Sequence, residues 1–224
     1  MKDLTVIYIT ANEVPAGWEA YHRKVLLEAI VDYPLITVSR KPMNLGTNLL
    51  DEDKKSYTNI YRQLLRACKI ATTDYVAVAE DDVLYHKHHF DFFRPKADEV
   101  AYNMNKWSLY TWEPTLYSNK MRKTNAALIA PRLYLIDALE ERFSHAKNGE
   151  LLSPGEIGRE NVDRWNHCKP RNAVEVYSTV AIIQVSHPAG TEERQKIMRK
   201  SFGKIRATSI PYWGEAKEIA KKYG

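Results

Sequence analysis

The chain has 224 residues, 44% of them hydrophobic and 27% charged, which suits one large α/β domain or two small ones and excludes a largely disordered chain. No apolar run reaches 18 residues, so no transmembrane helix is expected, and two cysteines, Cys68 and Cys168, exclude a disulfide framework or a thiolate-built zinc site. The net charge of +5 is uneven: residues 185–224 hold nine Lys/Arg against four Asp/Glu, which leaves 24 against 24 in the rest of the chain (33 − 9 and 28 − 4).

In chain order, Leu4–Thr10 is a β-branched, aromatic-rich run that predicts a buried strand. A loop with Pro15 follows, then helical spacing of Trp18, Tyr21, Val25, Leu26 and Ala29. Leu35–Val38 predicts a second strand, residues 41–53 a loop, and 52–70 a helix. Cys68 continues the apolar face of that helix, so it is expected to be a core residue, in keeping with a reducing, cytoplasmic setting. No basic segment followed by an apolar run opens the chain, so no signal peptide is expected. Tyr75–Ala79 predicts a third strand that ends in Glu80-Asp81-Asp82. Beyond it are expected a helix near 89–103, a strand at 107–111, an apolar stretch at 126–130 and a helix from Pro131 to about Phe143. A long loop at 147–171 with one short helix, two late strands at 174–177 and 180–185 in a possible hairpin, and basic helices near 192–202 and 215–223 complete the chain. Alternating strands and helices imply a mostly parallel open sheet with helices on both faces, folded as a single domain over 1–224.

The sharpest feature is the acidic triplet. Three adjacent carboxylates directly after a buried strand repel one another unless a cation joins them. Carboxylate oxygens suit hard cations such as Mg²⁺ or Mn²⁺, which commonly take one or two carboxylates and complete their shell with substrate phosphates. Ligands of parallel sheets bind beyond the carboxyl ends of the strands, where these acids stand.

The strand, helix, strand, helix, strand order closing on Glu80-Asp81-Asp82 resembles the nucleotide-binding half of a GT-A fold, nucleotide-sugar-dependent glycosyltransferase of the family 2-like group. Glu80-x-Asp82 stands at the place of that family's D-x-D motif, Thr10-Ala11-Asn12-Glu13 resembles the end of its first strand, and Thr58–Arg62 to Ala71–Val76 resembles the segment leading into the motif strand. The resemblance covers residues 1 to about 90. It implies a nucleotide-diphosphate sugar as donor and Mn²⁺ or Mg²⁺ as cofactor, with 1–105 the donor half and 106–224 the acceptor half. It implies Asp82, Glu80 and a late histidine, His187, as metal ligands, and Thr10, Asn12, Glu13, Ser39, Arg62, Glu80 and Asp81 about the nucleotide. Ser39-Arg40 stand where the family has an aspartate at the end of the second strand. His86, His88 and His89 follow the acids closely but are expected to be a solvated helix start.

An inverting transfer needs a carboxylate to take the acceptor hydroxyl's proton. The segment Gly155–Trp165 faintly resembles the family's acceptor-side G-E-D-x-D segment, with Asn161 in the place of its base aspartate; Glu160, Asp163 and Glu156 are the candidates. The basic tail with Tyr212 and Trp213 suits a polyanionic acceptor, such as DNA carrying a hydroxylated base, an anionic glycan or a lipid surface, and equally the donor diphosphate. The rival readings are a nucleotidyltransferase, which would open with a Gly-rich basic loop after its first strand, and a non-enzymatic nucleic-acid-binding module. No G-x-x-x-x-G-K-[ST] or G-x-G-x-x-G occurs, so neither a P-loop enzyme nor a dinucleotide oxidoreductase is expected.

Overall fold

The computed structural model describes residues 2–186 and 202–223. The expected helix near 192–202 and His187 lie outside the described residues. The chain runs through β1 (Leu4–Thr10), α1 (Ala16–Ile30), β2 (Leu35–Ser39), β3 (Thr47–Leu50), α2 (Tyr57–Ile70), β4 (Tyr75–Glu80), β5 (Val83–Leu84) and α3 (Lys87–Asp91). It continues through β6 (Glu99–Asn103), β7 (Lys106–Tyr110), β8 (Glu113–Asn119), β9 (Leu128–Pro131), α4 (Arg132–Ser144), α5 (Glu160–Trp165), β10 (Asn172–Val176) and β11 (Ile182–Ser186). Past the undescribed stretch come β12 (Ile205–Ala207), β13 (Ser209–Ile210), β14 (Gly214–Glu215) and α6 (Ala216–Tyr223).

A seven-stranded sheet in the order β10-β6-β9-β4-β1-β2-β3 forms the centre. Its strands run parallel except β9, which is antiparallel to both β4 and β6. Helices cover both faces, and the strand sequences sort their side chains accordingly. Leu4, Val6 and Tyr8 of β1, with Ala77 and Ala79 of β4, pack toward Leu26, Ala29 and Ile30 of α1. Ile7 and Ile9, with Val76 and Val78, pack toward Tyr61, Leu64, Ala67 and Cys68 of α2 and Leu135 and Leu139 of α4. The buried residues of α2 recur at helical spacing, and Ser56 caps it by accepting a hydrogen bond from the Asn59 N–H at 3.0 Å.

The mostly parallel open sheet with helices on both faces is as expected, and a second sheet, β12-β8-β7-β11-β5, accompanies it. Several expectations are corrected. The two late strands form no hairpin: β10 pairs with β6 in the central sheet and β11 with β7 in the second. The expected helix at 89–103 stops after α3, because Pro95 interrupts it and Val100-Ala101-Tyr102 is needed inside the sheet. The expected loop at 41–53 contains β3. Parallel neighbours are ordinarily joined by a dozen residues or more, whereas β2 and β3 are joined through residues 40–46 alone. Gly46 makes this possible: its φ is +62°, and a Cβ there would lie 2.3 Å from the Leu35 carbonyl oxygen. Trp18 of α1 and Ala216, Ile219 and Tyr223 of α6 pack on Leu109, Tyr117, Ile183 and Val185 of the second sheet. Among the described residues no helix is long and apolar enough to cross a membrane.

The acidic triplet is the link between the two sheets. Glu80 is the last residue of β4, and β5 begins at Val83.

Candidate functional site

The carboxyl ends of β1, β2 and β4 and the first turns of α2 enclose a cleft of about 570 Å³. Thr10, Ala11, Arg40, Ser56, Tyr57, Asn59, Gln63 and the whole triplet line it. The site therefore lies where a parallel sheet presents its ligands.

The three acids fan out in different directions. Asp81 turns to β1, where the Thr10 hydroxyl donates to its Oδ2 at 2.5 Å; the Trp18 indole N–H donates to the Asp81 carbonyl at 2.8 Å. Glu80 shares the sheet face of Val76 and Val78, and the charge of Glu156 acts on it there. Its own N–H donates to the Tyr85 hydroxyl at 3.1 Å, and that hydroxyl donates on to the Ala126 carbonyl at 2.9 Å. Asp82 turns to the second sheet, where the Gln184 amide donates to its Oδ2 at 3.2 Å. Its Oδ1 is shielded from solvent and has no hydrogen-bond partner.

This crowding is expensive in charge. Burial, then the neighbouring Asp82 and Asp81, pushes the Glu80 carboxyl from its ordinary 4.5 up to about 8. Burial raises Asp82 from 3.8 to about 6, against the opposing pull of the Gln184 hydrogen bond and the Lys106 charge. Both residues are part-buried and line the cleft. Carboxylate oxygens, one of them unpartnered, fit a hard divalent ion. Among the described residues no three His, Cys, Asp or Glu side chains make a complete metal site, so such an ion would draw further oxygens from substrate or water.

The opposite wall is organised by a residue that the sequence reading passed over. Asp51, only 2% exposed, follows β3. It accepts from Asn59 at 2.7 Å, Gln63 at 2.6 Å, Arg66 at 3.2 Å and Arg40 at 3.3 Å. Three of those donors line the cleft. The sequence signal of Asp51 is weak, because β3 (Thr47-Asn48-Leu49-Leu50) is half polar and exposed or half-buried throughout.

Asn12 holds the ends of β1 and β2 together. With φ at +54°, its Oδ1 accepts from the backbone N–H groups of Arg40 at 2.9 Å and Lys41 at 3.0 Å. Glu13 is ion-paired with Lys55 at the cleft edge. Of the expected nucleotide contacts, Thr10, Glu80 and Asp81 line the cleft, whereas Asn12, Glu13, Ser39 and Arg62 lie outside the lining. Ser39 is fully buried, its hydroxyl donating to the Lys41 carbonyl at 2.7 Å and accepting from Asn48 at 2.8 Å, so Arg40 takes its place on the wall. Arg62 turns away, donating to the Gly149 carbonyl at 2.7 Å and lying over the Phe143 ring.

The three candidate bases separate clearly. Asp163 is corrected: it is 1% exposed, and its Oδ1 accepts from Arg142 at 2.6 Å in a buried ion pair, which leaves it out of reach of an acceptor. Glu160 is exposed on the first turn of α5 and Glu156 is part-buried; neither is among the residues that line the cleft. Glu156 is the one that acts electrostatically on Glu80 and on Tyr61. Arg142 fixes its backbone, donating to the Gly155 carbonyl at 2.6 Å and the Glu156 carbonyl at 3.0 Å. The histidines after the triplet serve structure: the His86 ring accepts from the His88 N–H at 3.2 Å, and His89 is buried against Asn103 at 3.0 Å.

No protein-family model matches the chain, and no curated protein sequence matches it. Solved structures do resemble it. The inositol-1-phosphate CTP transferase from T. maritima superposes with a TM-score of 0.50 at 10% identity, covering 88% of this chain and 95% of that one. The mannosyltransferase PcManGT from Pyrobaculum calidifontis, in complex with GDP-Man and Mn²⁺, gives 0.47 at 13% identity over 99% of this chain and 69% of the other. The bifunctional IspDF from Campylobacter jejuni gives 0.45 at 14% identity over 79% of this chain, which spans half of that protein. At such identities the likeness is one of fold alone, the mostly parallel α/β arrangement with helices on both faces.

Proposed function

We propose that this chain is a glycosyltransferase that moves a sugar from a nucleoside-diphosphate sugar to a hydroxyl acceptor, with Mn²⁺ or Mg²⁺ held by Asp82 and Glu80. The observation that carries this reading is the unpartnered Oδ1 of Asp82 at the end of β4, inside a cleft with two further carboxylates. Bound there, the divalent ion would neutralise charge growing on the departing diphosphate.

The chain's own residues then have distinct tasks. Thr10 and Asp81, joined at 2.5 Å, form a rigid polar floor for the ribose. Arg40, Asn59 and Gln63, braced by Asp51, present donors to the nucleotide from the far wall. Tyr57, half-exposed on the rim, offers a ring on which a base can stack. Glu156 receives the proton of the acceptor hydroxyl in an inverting transfer, with the grip of Arg142 on residues 155 and 156 keeping it in place. Residues 1–105 thus serve the donor and 106–224 the acceptor.

The test is direct. UDP-, GDP- and CDP-linked sugars are incubated with the protein in Mn²⁺ or in EDTA, and nucleoside diphosphate release is followed. The reading requires release that depends on the metal and is lost in Asp82→Asn. Nucleotidyl transfer is the second reading, favoured by the superposition on the CTP transferase. It requires pyrophosphate release from a nucleoside triphosphate instead. Against it, Thr10-Ala11-Asn12-Glu13 after β1 is neither Gly-rich nor basic.

A further inference from the structure

β11 grips the acidic turn twice. The Val185 N–H donates to the Asp82 carbonyl at 2.7 Å, and the preceding Gln184 side chain donates to Asp82 Oδ2 at 3.2 Å. The other end of that amide is also engaged, since Gln184 Oε1 accepts from Lys106 Nζ at 2.8 Å. Lys106 opens β7, beside β11, and is 6% exposed. An ammonium only donates, so the amide has one possible orientation: oxygen toward Lys106, nitrogen toward Asp82. A glutamine next to a carboxylate alone would be fixed less firmly, because the amide could turn over whenever the carboxylate took up a proton.

The spacer has a second effect. A lysine in direct contact with Asp82 would occupy the carboxylate and compete with an incoming cation. Through the amide, one oxygen is saturated by a neutral donor and the other is left unpartnered. We propose that Gln184 and Lys106 are positioning residues for metal binding: Gln184 takes up Asp82 Oδ2 so that Oδ1 alone faces a divalent cation, and Lys106 fixes the amide that does so. The inference rests on the reading of Asp82 as a metal ligand. Neither residue touches the cation; both act through Asp82, as outer partners of metal ligands do.

The experiment measures Mn²⁺ affinity of the purified protein by the EPR signal of the free ion, with Mn²⁺ alone as probe, for wild type, Q184L, K106M, the double variant and D82N. Unfolding in EDTA is followed in parallel, so that any variant that fails to fold is recognised. The expected result is a rise in Kd of ~10–100-fold for Q184L, a rise in the same direction for K106M, and a double variant no weaker than Q184L. K106R, which keeps the donor, is expected to restore wild-type affinity. If K106M instead tightens Mn²⁺ binding, Lys106 is only a competing charge and the proposal is overturned. Should K106M not fold, Q184L with wild-type affinity overturns it as well. The two levels separate through D82N: a wild type that does not bind Mn²⁺, or D82N that binds as well as wild type, sinks the metal reading itself. Loss in D82N with wild-type affinity in Q184L and K106M sinks this inference alone.

Discussion

Replacing Asp82 by Asn should make the metal-free protein more stable at alkaline pH. Burial holds the Asp82 carboxyl at about 6 against an ordinary 3.8. A carboxyl raised on folding binds its proton more tightly in the native state, so its contribution to stability falls as pH rises from 3.8 through about 6 and stays low above that. The gap between those two values corresponds to ~3 kcal/mol as a ceiling. The effective dielectric around buried charges in proteins is well above that of a dry interior, which reduces the penalty to ~1–2 kcal/mol. For a chain of this length, each kcal/mol moves Tm by ~2–4 °C. Scanning calorimetry in EDTA should therefore find Asp82→Asn ~2–8 °C above wild type near pH 8, with the difference closing near pH 4. Added Mn²⁺ should raise wild type and leave the variant unmoved. A variant that melts below wild type by the same margin at both pH values would refute the reasoning, because Asp82 would then be held by favourable contacts rather than crowded.

Glu156→Gln should lower turnover by ~10²–10⁴-fold while leaving Tm within a degree or so, the mark of a lost general base; equal loss with Glu160→Gln and none with Glu156→Gln would move the base to α5. Asp163→Ala removes one partner of the buried pair with Arg142, and urea unfolding should report a cost of ~3–5 kcal/mol; a change below ~1 kcal/mol would show that the pair is not buried in solution. Burial depresses the His22 and His89 imidazoles from 6.5 to about 4 and about 3. Groups lowered in this way stabilise the native state above the unfolded pKa of 6.5, and that stability is lost as pH falls toward the folded values. The loss near pH 5 is ~2 kcal/mol for each, and His89→Gln should flatten this acid limb in urea titrations from pH 7 to 5; an unchanged limb would place His89 outside the acid transition. A DNA acceptor predicts duplex binding that weakens steeply with salt and is diminished in Lys204→Gln/Arg206→Gln, measured by fluorescence anisotropy. No binding at low salt would remove DNA as the acceptor.

The buried strands β1, β2 and β4 were legible in the sequence because both faces are covered, so their residues form short runs dominated by apolar and β-branched side chains. The acidic triplet was legible for the complementary reason: charge that abruptly ends such a run has few places to go. What the sequence hid is long-range. β3, read as loop, carries no alternation, having exposed or half-buried residues throughout. β6 lies inside the span expected as helix, and Pro95, which cannot continue α3, is the local signal against that expectation. In sequence, Glu160, Asp163 and Glu156 stand as candidate bases in that order within one charged segment. Arg142, 21 positions from Asp163 and 14 from Glu156, separates the last two by pairing with the Asp163 side chain and gripping the Glu156 backbone. Gln184 and Lys106 have no sequence signal at all, since their role depends on β5, β7 and β11 meeting in one sheet.

The most direct test is anomalous diffraction from a crystal soaked in Mn²⁺ and a nucleoside diphosphate. The account requires a manganese peak at ~2.2 Å from Asp82 Oδ1, with diphosphate oxygens in the same coordination shell. A nucleotide bound with no metal peak at the triplet, and Asp82 still held only by Gln184, would contradict it.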